Sequence, residues 1–270
     1  MTVLAFEALA GIAVSMSVLM GVAWLVRERS GNSGWVDTIW TFSVGAVGAG
    51  AALWPVAGAA PNARQWLVAA LVLIWSLRLG THIAIRTAGI SDDPRYAAFA
   101  RDWGLDAPRK MFIFLQNQAF GSIPLALAVC IAARFPDSSL RLQDALGVLI
   151  LVAAIAGEAL ADAQLKRFRR APANQGRVCD IGLWRWSRHP NYFFEWLGWL
   201  AYPVIAISPH YGWGWASLLA PVFMYWILVH VTGIPPLEAQ MLRSRVERYR
   251  DYQSRTSAFF PLPPHKGVVT

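Results

Sequence analysis

The sequence predicts an all-α integral membrane protein with seven transmembrane helices, its N-terminus periplasmic and its C-terminus cytoplasmic. Three observations carry this expectation. Hydrophobic residues make up 56% of the 270 positions and charged residues only 15%. A soluble domain is about 25% charged, so this chain has too little charge for a water-facing surface. The apolar residues are also gathered into runs long enough to cross a bilayer, which takes roughly 20 residues in a helix. Finally, the cations between those runs are sorted by side. Backbone groups in lipid must be satisfied internally, which selects a helical bundle.

The first expected helix covers residues 3–26. No Lys or Arg precedes it, and Arg27 and Arg29 follow it, the reverse of a cleaved signal peptide. The second, residues 35–60, is rich in Ala and Gly and opens near Asp37 and Trp40. The third, residues 66–86, is apolar apart from Arg78 and His82. The fourth, residues 111–133, carries Gln116 and Asn117 early. The fifth, residues 142–165, holds Glu158 and Asp162 near its end. The sixth, residues 191–208, is short and opens on Asn191 and Glu195. The seventh, residues 211–232, ends near His230, and a cytoplasmic tail with Glu238 occupies 233–270. No repeat or long linker interrupts residues 1–270, so a single domain is expected; a monomer is the expected state.

With seven spans, the loops after the first, third and fifth, together with the tail, hold 20 of the 24 Lys and Arg. The opposite side holds Arg64, Arg134 and Arg141, and Arg78 lies within a span. The positive-inside rule then fixes the orientation. The net charge of +8 is explained by orientation and by contact with anionic headgroups. Because it is spread over several loops, nucleic acid is excluded as a partner. Cys130 and Cys179 fall on opposite sides of this bilayer, form no disulfide and belong to no metal motif.

Polar residues inside spans are costly and point to function. In this topology Asp37, Arg78, His82, Glu158, Asp162, Asn191, Glu195, His230 and Glu238 all fall toward the cytoplasmic leaflet. A polar cavity opening to the cytoplasm would solvate them. Glu158 and Asp162, and likewise Asn191 and Glu195, are four apart and share a helix face. Arg169, Arg177, Arg185, Arg188 and His189 lie between those pairs. Carboxylates suit ribose hydroxyls and an amide, and arginines clamp phosphates bidentately. The pattern fits a phosphorylated nucleotide, and no GxGxxG is present to make the site a Rossmann one.

These residues resemble the C-terminal domain of the steroid 5α-reductases, and specifically the bacterial DUF1295 branch. Asp162, Arg169, Arg177, Asn191 and Glu195 recur at intervals similar to that group's cofactor- and substrate-binding residues, and HPNYFFEWLGW resembles its Asn-Phe-x-Gly-Glu-x-x-x-Trp run. DDPRY, RDWG, GIPPLE and YRDYQSRTSAFFP, beginning at Asp92, Arg101, Gly233 and Tyr249, resemble the bacterial branch. The resemblance implies a multi-pass enzyme of the bacterial inner (plasma) membrane, a 3-oxo-5α-steroid 4-dehydrogenase-like oxidoreductase. It would reduce a conjugated C=C bond in a lipid or steroid-like enone by hydride transfer from NADPH, with a donor at the carbonyl oxygen. The implied catalytic residues are His82, Asp37 and Glu195, with His82 standing where the reductases have Tyr. The implied cofactor contacts are Glu158, Asp162, Arg169, Arg177, Asn191, Glu195, Arg188, His189 and Glu238, with no metal. Glu158 stands where the reductases have Asn.

Two other readings compete. Isoprenylcysteine carboxyl methyltransferases, which use S-adenosylmethionine, share the superfamily, and Arg188-His189-Pro190-Asn191-Tyr192 fits their Arg-His-Pro-x-Tyr. Asn191-x-x-x-Glu195 with Asp162 and Arg169 favours the reductase. A transporter needs a polar path across the outer leaflet, and the outer halves are nearly all Ala, Leu, Val and Trp.

Overall fold

The computed structural model describes residues 2–55 and 59–265. It is all-helical, with no strand among the described residues. Among the described residues, six stretches are long and apolar enough to cross a membrane: Phe6–Ser30, Gly34–Leu53, Ala63–Ala88, Pro94–Ala133, Leu142–Arg170 and Gly212–Ser244. The chain is thus a multi-pass membrane protein. It divides into two compact units.

The first unit comprises Met1–Gly147 and Tyr202–Ala220. It contains α1 (Thr2–Ser30), α2 (Gly34–Leu53), α3 (Ala63–Ala88), α4 (Pro94–Trp103), α5 (Ala107–Gly121) and α6 (Ile123–Ala133). Helix α1 is apolar all round, which suits a helix with protein on one side and lipid on the other. Ile12, Met16, Met20 and Ala23 are buried, while Val14, Val18, Val22 and Leu25 form an exposed stripe. Helices α2 and α3 pack closely because small residues line the contact. A Cβ on Gly45 would collide with Ser76, and one on Gly48 would press on Val72 and Val129. The Ser76 hydroxyl donates to Thr41 O at 3.0 Å. Asn62 and Gln65 form a capping box that starts α3. At the end of this unit, the buried Arg64 guanidinium forks onto both Asp144 oxygens at 2.8 Å.

The second unit comprises Val148–Ala201 and Pro221–Thr270. It holds most of α7 (Leu142–Arg170), then α8 (Pro190–Trp199) and the end of α10 (Leu219–Trp226). A π-helical turn, Ile227–Val231, follows α10 and leads into α11 (Ile234–Ser244) and α12 (Val246–Arg255).

The expected boundaries change in four places. The second helix stops at Leu53, short of residue 60. The fourth expected span is two helices, α5 and α6, broken at Ser122, two residues before Pro124. Ser122 Oγ donates back to Gln118 O at 2.7 Å and accepts the Trp40 indole at 2.6 Å. The expected sixth span, 191–208, is not one crossing helix: α8 has 10 residues and α9 (Ala201–Ala206) has 6. Leu200 breaks it with a tighter bond to Leu197 O, and Pro203 lacks an N–H to continue the ladder. Among the described residues, six helices therefore meet the crossing criterion where seven were expected. The seventh is composite, opening as a 3-10 helix at Gly212–Leu218, where Gly212 and Gly214 weaken an α-helix.

Candidate functional site

Within the second unit, the buried positions of α7 follow a helical stripe. Leu151, Ala154, Glu158, Ala161 and Phe168 are all buried, with Leu165 packed beside Phe168. Glu158 thus occupies a place on an otherwise apolar stripe. Helix α8 lies directly against this surface. A Cβ on Gly157 would collide with the Phe194 ring, and Gly198 rests on Leu151 and Ala154. Only glycine leaves room for that ring. Glu158 follows Gly157 and Glu195 follows Phe194, so the two acids flank one helix contact. They are 6% and 7% exposed, a degree of burial that carboxylates accept only with hydrogen-bonding partners. Trp199 supplies one, its indole N–H donating to Glu195 Oε1 at 3.0 Å.

Farther along α7, Asp162 and Gln164 are half-buried and Arg169 is exposed. The Gln164 side-chain oxygen accepts from Leu183 N at 2.9 Å, and Trp184 donates to Ala161 O at 2.9 Å. These bonds tie the connecting segment to α7, with Phe168, Cys179 and Trp184 forming its small core. Burial, the largest effect, pushes the Cys179 thiol up. Arg177 is exposed on this segment, and Asn191 is half-buried in the first turn of α8.

Arg188, His189 and Glu238 come together in a network of their own. Arg188 forks onto Glu238, Nε to Oε1 at 2.7 Å and Nη2 to Oε2 at 3.3 Å. Its remaining nitrogen donates to Thr256 O at 2.6 Å and Gln253 O at 3.3 Å, and its backbone N–H donates to Ser257 O at 2.8 Å. Glu238 also accepts from Gln253 Nε2 at 2.7 Å and lies 3.1 Å from His189 Nε2. Burial, the largest effect, pushes His189 below its ordinary value against the pull of Glu238, and Arg188 adds to the lowering. The ring is therefore neutral near pH 7 and donates to Glu238 through Nε2. Tyr252 bonds to the carbonyls of Trp184 and Ser187, and Ser187 Oγ donates to Phe259 O at 2.8 Å. This network fastens α11, α12 and the following segment to the loop before α8.

The first unit holds the other two expected catalytic residues. Asp37 accepts from Arg95 Nη2 at 2.5 Å and from the Tyr96 hydroxyl at 2.8 Å. Arg95 also forks onto Asp93, Nε to Oδ1 at 3.0 Å and Nη2 to Oδ2 at 2.9 Å. Burial alone would raise the Asp93 carboxyl, but Arg95 and, more weakly, Arg86 hold it below its usual range. Asp92 caps Ser33 N at 2.7 Å, and Asn32 Nδ2 donates to Thr87 O and Ile90 O at 3.1 and 2.9 Å. The DDPRY run is thus a latch between the start of α2 and the end of α3. His82 lies on the exposed side of α3.

Sequence reasoning missed Arg95, Tyr96, Gln253 and Tyr252 as partners. The signal was present in part, since DDPRY and YRDYQSRTSAFFP stand out as motifs. The Gln253–Glu238 bond spans 15 residues and the contacts of the others to Asp37 and to the loop before α8 span 58 and more, beyond the reach of helical spacing.

A family model described as a protein of unknown function (DUF1295) matches residues 23–256. An uncharacterised protein of Schizosaccharomyces pombe is 36% identical over 99 residues, which is 35% of this chain and 27% of that protein. The match therefore spans little more than a quarter of the relative's length. No solved structure matches.

Proposed function

The chain belongs to the DUF1295 family, and on that premise we propose that it is an NADPH-dependent reductase of a conjugated C=C bond in a lipid or steroid-like enone. The family is part of the steroid 5α-reductase-like group. The observation that carries the reading is the pair of buried glutamates, Glu158 and Glu195, flanking the Gly157–Phe194 contact. Burying two acids beside a close helix contact costs stability, and ionisable groups kept within membrane helices despite that cost mark a functional role.

The residues present fit such a ligand. Glu158, Asp162, Asn191 and Glu195 offer acceptors, and Asn191 also offers an amide donor. Arg169 and Arg177 are exposed and, among the described residues, neither pairs with a carboxylate. They are free to meet phosphates. When bound, NADPH would supply the hydride that adds to the β-carbon of the enone. The protein's task is to orient the reactants, exclude water and donate to the carbonyl oxygen as charge builds there. Asp37 accepts from Arg95 and Tyr96, so we assign it a positioning role in place of a donating one. His82 lies on the exposed side of α3, and an imidazole is a residue type that donates to a developing oxyanion, so we keep it as the proposed donor. Arg188, His189 and Glu238 spend their hydrogen bonds on one another, and we assign them to holding the C-terminal segment. The sorting of the cations supports a cytoplasmic C-terminus, which we propose together with the bacterial inner membrane as the location.

The test is thermal unfolding of purified protein in detergent with NADPH or S-adenosylmethionine. NADPH is expected to raise the melting temperature and Glu195→Gln to weaken that rise without lowering the ligand-free value. Stabilisation by S-adenosylmethionine alone would replace this reading with the methyltransferase one.

A further inference from the structure

The chain between α3 and α6 is longer than a membrane crossing needs. Residues 107–133, which form α5 and α6, extend about 40 Å as helix, enough for roughly 30 Å of hydrocarbon. Helix α4 is surplus to that crossing, and its 10 residues make only about 15 Å of helix. Tyr96, Phe99 and Trp103 of α4 all meet the Phe114 ring of α5, with centroids 6.1, 5.7 and 6.3 Å away. Rings spread over two turns of α4 thus converge on one ring of α5. A helix running alongside α5 would meet its turns one after another, so α4 lies across it. Trp24 of α1 sets the depth of this crossing. Its indole N–H donates to Pro108 O at 3.0 Å, and its ring meets Phe112 edge-on at 5.5 Å. Trp24 stands one turn before Arg27, in the closing turns of α1 with Arg29. A Trp followed by arginines marks the boundary of the bilayer, so the start of α5 and the turn before it sit at that boundary.

That turn, Gly104–Asp106, presents an apolar side chain outward. Gly104 has φ +55°, which a residue with a Cβ rarely adopts, and Leu105 after it is wholly exposed at 103%. Phe99 on α4 is also exposed. Arg101, Arg109 and Lys110 flank the turn and are exposed. Among the described residues Arg101 and Arg109 pair with no carboxylate, and Lys110 reaches Asp106 only at 3.8 Å. The exposed acids beside them are Asp102 and Asp106, so the cations are in excess. An apolar side chain beside unpaired cations at the bilayer boundary is complementary to acyl chains lying beneath anionic headgroups. We propose that α4 and the turn Gly104–Asp106 dock on the surface of an anionic lipid leaflet, with Leu105 inserted among the acyl chains and Arg101, Arg109 and Lys110 on the headgroup phosphates. The first turn of the same helix carries Arg95 and Tyr96, which hold Asp37. Lipid bound at one end of α4 therefore steadies the latch at the other. The proposal does not depend on which reaction the chain performs.

The full chain carrying Leu105→Cys, labelled with the polarity-sensitive dye NBD, is placed in nanodiscs of phosphatidylcholine alone or mixed with phosphatidylglycerol. The native Cys130 and Cys179 are buried, and the parent treated alike gives the background. The label is expected to emit as in an apolar medium. A nitroxide near the glycerol end of an acyl chain should quench it more than one near the tail. Hydrogen exchange of residues 94–103 is then measured in both lipids on the unlabelled parent, on Arg101→Gln/Arg109→Gln and on the remote control Arg250→Gln. Phosphatidylglycerol is expected to slow exchange in the parent and the control. The slowing should fall about fivefold for each cation removed, and high salt should weaken it in the same direction. Both substituted arginines are exposed, and the parent's own response to the two lipids needs no variant to fold. A label that emits as in water in both lipids, or α4 exchange in the parent that does not respond to phosphatidylglycerol, overturns the proposal. So does a response that the double variant keeps in full.

Discussion

Replacing Glu238 by alanine separates two roles for this residue, a ligand contact and an internal clamp. The carboxylate receives Arg188 at 2.7 Å, Gln253 at 2.7 Å and His189 at 3.1 Å. The Arg188 and Glu238 side chains are only 12% and 14% exposed, so the surface-pair scale of about 0–1 kcal/mol does not apply. Removing one partner of a buried pair costs about 3–5 kcal/mol, because the other charge stays buried. Arg188 keeps its bonds to the Thr256 and Gln253 carbonyls, which favours the lower end, about 3 kcal/mol. For a chain of this size that corresponds to a fall in melting temperature of roughly 6–12 °C. The assay is thermal unfolding without any nucleotide, paired with trypsin cleavage in α12, which should accelerate as the helix comes loose. Glu238→Gln keeps one acceptor and should lose less. A double-mutant cycle with Arg188→Met should show a coupling of about 2 kcal/mol. The clamp reasoning is refuted if Glu238→Ala melts with the parent in the absence of nucleotide and loses only the ligand-induced stabilisation.

Two further outcomes follow from the second unit. Gly157→Ala places a methyl on the Phe194 ring and should cost about 1–3 kcal/mol by overpacking, with Phe194→Leu relieving part of it; an unchanged melting temperature would sink the close-contact argument. Burial keeps His189 below its ordinary value of 6.5, so between that value and its lower folded value the unfolded chain binds more protons. His189 thus contributes stability that is present above pH 6.5 and lost as pH falls below it through the lower folded value. The melting temperature should drop across that window, more steeply in the parent than in His189→Gln; equal slopes would show that His189 is not the group responsible.

Hydropathy made the long helices legible. Helices α1, α3 and α7 appear where apolar runs of bilayer length appear, because lipid demands such runs of any helix that crosses it. Hydropathy reports the medium and not the backbone path. Residues 111–133 read as one apolar run, yet a break at Ser122 divides them between α5 and α6, and Gly212–Leu218 is 3-10 where the glycines at 212 and 214 weaken an α-helix. The same limit splits α8 from α9. In the site, Glu158, Asp162 and Arg169 were readable because they share one helix and repeat on its face. The partner of Asp37 was not, since Arg95 lies 58 residues away across a loop. Nor was the clamp, because Glu238 meets Arg188 over 50 residues.

The arginines then sort by what they face. Arg64, Arg95, Arg188 and Arg255 are each committed to a carboxylate, and each ties together segments distant in sequence. Arg169, Arg177, Arg245 and Arg248 pair with no carboxylate among the described residues. Orientation in a bilayer requires only that cations lie on one side, so unpaired arginines are what topology alone leaves. The paired ones record the fold instead: each closes a contact between distant segments that the net charge of +8 does not by itself reveal.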